Sequence, residues 1–286
     1  MRKILTDDQV SAYRDKGYHF PLRVMSPAEA AGHRARLEAF ESSQGGNIRG
    51  RRRQKLYLLL TWVNEIVRNP RILDAVEDIL GPDLLCWQTA FFIKEPDNKG
   101  YVSWHQDSTY WGLSSPDVCT AWLAFTPATL ESGAMKVAPG THKLAQLPHA
   151  DTFNPDNLLT RGQELKMEVD RASAVDMVLD AGEISLHHVM LAHASEPNRS
   201  NDRRIGLAIR YIAPHVRQAT GVPDTAMLVR GKDTYGNFEM ETPPAADMHP
   251  DAVALHDRIT KTREGFIYQG TDKGAHRNTG DVITKG

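Results

Sequence analysis

A histidine and an aspartate stand two positions apart in WHQDSTYW, residues 104–111, within a run of aromatic and β-branched residues. On a β-strand, residues i and i+2 point to the same face. His105 and Asp107 would then offer an imidazole nitrogen and a carboxylate oxygen to one ion, while Gln106 faces away. The same spacing also suits a half-exposed strand histidine beside a turn aspartate, so a metal site needs a third ligand from elsewhere. His193, in LAHASEPNRSNDRRIGLAIRYI, is the best placed, because it stands at the mouth of a hairpin whose return strand begins at Arg204. Two histidines and one carboxylate form the facial set that holds a non-haem iron and leaves positions open for substrate and oxygen.

Alternation along that return strand puts Arg204, Gly206, Ala208 and Arg210 on one face and Ile205, Leu207, Ile209 and Tyr211 on the other. An arginine followed by two small residues leaves room inside a barrel. Its guanidinium could grip a carboxylate with two parallel hydrogen bonds, although a surface salt bridge is the plainer reading. Arg210 shares the face but lies six residues further on, about 20 Å at the rise of a strand. It is thus expected to serve the other end of the barrel.

The elements that must carry these residues fall into two textures. TDDQVSAYRDK (6–16) and SPAEAAGHRARLEAFES (26–42) read as helices opened by Thr or Ser with acidic residues in the first turn. Leu58–Val67 and Pro70–Leu80 read as a further helical pair, ended by Gly81-Pro82, so residues 1–80 are expected to be mainly helical. After Gly81 come short runs rich in Val, Ile, Phe, Trp and Thr between turn clusters: LLCWQTAFFI, YVSWHQDSTYW, VCTAWLAFTP, AMKVAPG, GEISLHHVML and RIGLAIRYIA. Such strands predict an antiparallel barrel or jelly roll over 81–215. A C-terminal extension over 216–286 follows, with a last helix near Ala252 to Glu264. No linker separates two parts of the chain, so one domain is expected: a mainly β jelly-roll core, a double-stranded β-helix, with N-terminal helices packed on it.

WHQD, SGAMKVAPGTHK and HASEPN, with an arginine eleven positions after the histidine, together resemble the phytanoyl-CoA dioxygenase family of Fe(II)/2-oxoglutarate oxygenases. The resemblance covers roughly residues 85 to 215. It implies that His105, Asp107 and His193 bind iron and that Arg204 clamps the far carboxylate of 2-oxoglutarate. Gln88, Trp122 and Ser195 fall where relatives place further cosubstrate contacts. The family's halogenating members carry a small residue in place of the carboxylate, so Asp107 implies hydroxylation. The implied reaction consumes O2, inserts oxygen into an unactivated C–H bond and releases succinate and CO2. By the same resemblance, the texture of WHQDSTYW, GEISLHH and LVRGKDTYGNFE is similar to bacterial members acting on small polar metabolites, including aminoalkylphosphonates. An acyl-CoA or a secondary metabolite is an alternative substrate. Two rival readings keep less of the pattern: a cupin-like metal-dependent isomerase or hydrolase without an oxoacid, and a metal-free binding module.

A charge of -2 over 286 residues gives no electrostatic reason to expect nucleic acid or an anionic membrane as partner, which leaves a small molecule. Cys86 and Cys119 lie in apolar stretches without zinc-ligand spacing and read as buried thiols. The first twenty residues lack an apolar run of leader type, and no stretch of membrane-spanning length occurs, so a cytoplasmic protein is expected. Tyr110, Trp111 and Phe91 are candidate cavity walls. The basic run Arg49, Arg51, Arg52, Arg53 and Lys55 follows Gly45-Gly46 and is either a solvated face or a lid whose arginines meet an anionic substrate. His187 and His188 are expected to support the site rather than bind metal, and His142 to lie in a loop.

Overall fold

A computed structural model describes residues 2–268 apart from 167 and 171; the rest of the expected C-terminal extension lies outside the described residues. The helices α1 (Asp7–Lys16) and α2 (Pro27–Ser43) begin where the sequence predicts. At α1 the Thr6 hydroxyl accepts from the Gln9 amide at 3.2 Å while the Gln9 side chain accepts from the Thr6 amide at 2.8 Å, a reciprocal cap that satisfies two otherwise orphaned donors. Ser26 and Glu29 repeat it at α2. The helix expected over Leu58–Val67 is shorter: Leu56–Leu58 form a 3-10 turn and α3 covers Thr61–Val67. Five consecutive side chains, Leu56 to Leu60, are all buried, which a helix resting one face on a sheet cannot achieve. Asp247 supplies the missing cap, accepting from the Thr61 amide at 2.7 Å. α4 spans Pro70–Leu80 as expected, and α5 spans Pro250–Ile267, slightly longer than its sequence signal.

The strands are β1 (Tyr18–Arg23), β2 (Leu84–Lys94), β3 (Val102–His105), β4 (Val118–Ala124), β5 (Met135–Val137), β6 (His149–Asp151), β7 (Gln163–Leu165), β8 (Val175–Met177), β9 (Glu183–His188), β10 (His193–Ser195), β11 (Arg204–Ile212), β12 (Thr225–Arg230) and β13 (Glu239–Met240). A large sheet has the order β1-β9-β4-β11-β2-β12-β13 and a small one the order β3-β10-β5-β8, with β6 and β7 as a separate pair. Pairing is antiparallel apart from β12 with β13. The chain is a two-sheet jelly roll, not a closed barrel. Three of its strands, β1, β12 and β13, lie outside the span the sequence marks as core. β1 sits in the nominally helical N-terminal region, where the proline of YHFPLR masks a strand that occupies a sheet edge. β12 sits beyond residue 215 and extends the large sheet past β2.

Alternation along β11 separates the layers as predicted. Ile205, Leu207, Ile209 and Tyr211 join one hydrophobic core with Leu56, Val63, Ile72 and Val76 from the helical region, and the Tyr211 hydroxyl donates to the Val67 carbonyl at 2.9 Å. The opposite face looks toward the small sheet, and there Gly206 is required by contact: a Cβ would lie 1.9 Å from the Trp122 ring. The C-terminal segment is tied to the N-terminal basic run by a buried network. Lys55 Nζ donates to the Glu241 carboxylate, which also accepts from Tyr57 and Thr225 hydroxyls at 2.5 Å each.

Gly206→Ala is expected to lower stability by about 1–3 kcal/mol through displacement of Trp122. Lys55→Met, which strands a buried carboxylate, should cost about 3–5 kcal/mol. Urea unfolding of each protein measures both.

Candidate metal and cosubstrate site

One ligand atom from each of His105, Asp107 and His193 lies within 4.8 Å of the others, and all three residues are buried. His105 closes β3 and His193 opens β10, adjacent strands in which the two residues are register partners. Asp107 is not on the strand as expected. It lies in the turn just after β3, and its position is set by Gln106, which is fully buried rather than simply facing away. The Gln106 amide donates to the carbonyls of Ala145 at 2.9 Å and Met190 at 2.8 Å, and its oxygen accepts from the Leu147 amide at 2.7 Å. Two loops are thereby stapled to the turn that carries Asp107.

The imidazoles are held in one tautomer. His105 Nδ1 is 2.9 Å from the Ser103 carbonyl and 3.1 Å from the His193 carbonyl, and His193 Nδ1 is 2.9 Å from the Leu191 carbonyl. A carbonyl only accepts, so each Nδ1 carries the proton and each Nε2 presents a lone pair. Burial, then the nearby His105, holds His193 well below the usual histidine range, which keeps it in the neutral form a metal requires. Asp107 is buried, which alone would raise its carboxyl; Arg210, His105 and His187 outweigh that and hold it well below the usual range. Asp107 Oδ1 is 3.7 Å from His105 Nε2 and 3.7 Å from Arg210 Nη2, and Oδ2 is 3.8 Å from His187 Nε2. His187 thus stands beside the carboxylate, whereas His188 packs against His142, with ring centroids 5.1 Å apart.

A cavity between the sheets is lined by this trio together with Trp122, Ser195, Arg204 and Arg210. Arg204 and Arg210 stand at opposite ends of one space. Arg210 thus lies six residues along β11 from Arg204, as expected, but there it faces the Asp107 carboxylate inside the same cavity. Arg204 is buried, which pushes it down to about 10; its guanidinium lies 5.2 Å from the Trp122 ring centroid, and Nη1 donates to the Gly133 carbonyl at 2.9 Å. Thr120 Oγ1, His187 Nδ1, Arg204 Nε and Arg210 Nε are buried with no hydrogen-bond partner among the described residues. Unpaired donors facing a cavity with more cationic than anionic side chains fit a polyanionic ligand and a metal ion.

A second cavity, open to solvent and about 660 Å³, adjoins the first across Asp107, Phe92 and Arg210. Gln88, Phe91 and Trp111 line it, together with Arg53 and Gln54. Gln88, expected beside the cosubstrate, donates to Gln54 at 3.0 Å and leaves its buried oxygen without a partner. Two expected contacts do not line either cavity. Tyr110 donates to Asp151 at 2.6 Å and lies under the Arg161 guanidinium, and Arg51 binds both Glu264 oxygens at 2.6 Å. The basic run is therefore neither one lid nor one solvated face: Arg49 is exposed, Arg51 grips α5, Arg53 reaches the cavity and Lys55 is buried. Sequence reasoning missed Lys94, Arg263 and the role of Gln106. Lys94 shares a face with Gln88, Ala90 and Phe92 along β2, which a full alternation count would have shown; Arg263 carries no such local signal.

Two imidazoles and a carboxylate inside a jelly roll are the architecture of a non-haem iron oxygenase. The chain belongs to the phytanoyl-CoA dioxygenase (PhyH) family, matching the family model over residues 2–206. It is an Fe(II)/2-oxoglutarate-dependent dioxygenase acting on a small molecule. Among curated relatives, a probable alpha-ketoglutarate-dependent hypophosphite dioxygenase from Stutzerimonas stutzeri is 25% identical over 211 residues, covering 71% of this chain and 73% of that protein. Human peroxisomal phytanoyl-CoA dioxygenase is 26% identical over 146 residues, 50% of this chain and 43% of its own length. Among solved structures, the apo non-heme monooxygenase ThoJ superposes with a TM-score of 0.82 at 36% identity, covering 92% of this chain and 98% of that one. CytC3 with Fe(II) and alpha-ketoglutarate shares the fold, with a TM-score of 0.65 at 22% identity over 87% of this chain and 97% of that one. Among the described residues no helix is long and apolar enough to cross a membrane.

Gln106→Leu is expected to weaken metal binding about 10- to 100-fold while the protein stays folded, because the ligand turn loses its staples. Titration with Mn(II), followed by calorimetry, measures it.

Proposed function

We propose that this protein is a hydroxylase of a small, polar, anionic metabolite, with His105, Asp107 and His193 as iron ligands and Arg204 as the anchor for the far carboxylate of 2-oxoglutarate. The observation that carries the reading is the placement of two buried arginines on one face of β11, with the three-residue cluster near one of them. With iron and 2-oxoglutarate bound, the site would couple oxidative decarboxylation to succinate and CO2 with insertion of oxygen from O2 into a C–H bond. The protein's own part is ligation, orientation and exclusion of water. Trp122 walls the cavity beside Arg204, and Ser195 offers a hydroxyl there. Arg210 faces Asp107 from the substrate side.

The substrate class follows from the second cavity. Arg53 is half-buried at its wall and makes no side-chain hydrogen bond or ion pair among the described residues. Arg210 and the Gln88 oxygen add an unpaired donor and acceptor, and the aromatic edge of Trp111 closes one side. Guanidinium groups around a polar, partly apolar space suit a phosphonate, phosphate or carboxylate next to a short carbon chain. An aminoalkylphosphonate meets that description. The relative named for hypophosphite points to a small phosphorus oxyanion as well.

Anaerobic addition of Fe(II) and then 2-oxoglutarate should give the weak visible band of a chelated ferrous oxoacid, and Arg204→Ala should abolish it at the same concentrations. Succinate release across a panel of small phosphonates, carboxylates and acyl thioesters should select an anionic amine or acid. With that substrate, Arg53→Ala should raise KM by about tenfold while the exposed Arg49→Ala leaves it unchanged; equal behaviour of the two variants would remove the anionic subsite.

A further inference from the structure

Lys94 and Arg204 are register partners across β2 and β11; Arg204 and Ser195 line the cavity, and Lys94 reaches Ser195 without lining it. Lys94 and Arg204 are each 2% exposed. Burial, followed by the charge of Arg204, pushes the Lys94 ammonium down to about 6. Lys94 Nζ donates to Ser195 Oγ at 2.7 Å and to the Glu196 carbonyl. The Gly133 carbonyl accepts from Arg204. Gly133 has a φ of +75°, and a Cβ there would stand 2.2 Å from the Glu196 oxygen and 3.1 Å from Lys94 Nζ.

We infer that Lys94 is a positioning residue for the far carboxylate of 2-oxoglutarate, turning the single hydroxyl proton of Ser195 into the cavity beside Arg204. The inference rests on the reading of Arg204 as the anchor. An ammonium has three donors and no acceptor, whereas a hydroxyl has one donor and accepts readily. When Lys94 donates to Ser195 Oγ, the serine cannot donate back, and the same ammonium already gives the Glu196 carbonyl one hydrogen bond. The hydroxyl proton is left for the ligand, which then meets a charged fork from Arg204 and a polarised O–H from Ser195. The arriving carboxylate is a counter-charge for Arg204 and favours the ammonium form of Lys94, which burial beside Arg204 otherwise opposes. Without Lys94, the hydroxyl is free to turn onto the Glu196 carbonyl and away from the ligand.

The test is calorimetric binding of 2-oxoglutarate and 2-oxobutyrate to the Mn(II)-loaded protein; the second ligand keeps the oxoacid head and lacks the far carboxylate. Lys94→Met is expected to weaken 2-oxoglutarate by about tenfold and to leave 2-oxobutyrate unchanged. Ser195→Ala should do the same, and the double variant should be no weaker than either single one. Wild-type affinity in Lys94→Met, equal loss of both ligands, or losses that add in the double variant would each overturn the inference. If thermal melting shows that Lys94→Met does not fold, Ser195→Ala decides: an undiminished preference for 2-oxoglutarate over 2-oxobutyrate refutes it, and loss of that preference supports it. Arg204→Ala is measured beside them, and if it keeps full affinity for 2-oxoglutarate the anchor reading itself has failed, whatever Lys94 does.

Discussion

Strand β11 works under a constraint that recurs every second residue. Ile205, Leu207, Ile209 and Tyr211 must be large and apolar to seat the helices, while the intervening positions must be small in the middle and cationic at the ends. Gly206 and Ala208 leave the space that Trp122 and the cavity occupy, and Arg204 and Arg210 bound it. A one-residue slip in pairing would put the arginines into the helix-packed core and the isoleucines into the cavity. Extensive pairing to both β2 and β4 fixes that register. The jelly roll therefore positions the chemistry through the side of a single strand rather than through a mobile loop.

Electrostatics in the cavity run in one direction. Arg204, Arg210 and Lys94 are all buried near it, with Asp107 in direct reach of Arg210. Desolvation lowers the affinity of each cation for its proton, so the empty arrangement is costly and a dianion relieves the cost. Burial and neighbouring charges likewise keep Asp107 ionised and His193 neutral, the protonation states in which a carboxylate and an imidazole can bind a divalent ion.

How much of this could be read from the residues alone depends on whether the signal was local. Helix starts at Thr6 and Ser26 carry their own caps, and the alternation of RIGLAIRYI shows its two faces without reference to anything else. The clustering of His105, Asp107 and His193 was legible because their spacing and order matched a family pattern. Other features depend on what lies opposite. YHFPLR reads poorly as a strand because its pairing partner, β9, is more than 160 residues away. The partition of the basic run was invisible for the same reason, since Glu264 and Glu241 decide where Arg51 and Lys55 go. Arg210 could be counted along a strand, but its approach to Asp107 depends on a turn that follows a strand of the other sheet.

The family model ends at residue 206, yet Arg210, Arg263 and the α5 end that faces the second cavity all come later. These later parts are bolted to the N-terminal run through Lys55 and Glu241, with Arg263 held on Asp224 at 3.0 Å. The walls of the second cavity are thus split between two distant stretches of chain. A chimaera that grafts a new tail onto this scaffold must exchange residues 50–57 along with it, or the two halves of the lock will come from different keys.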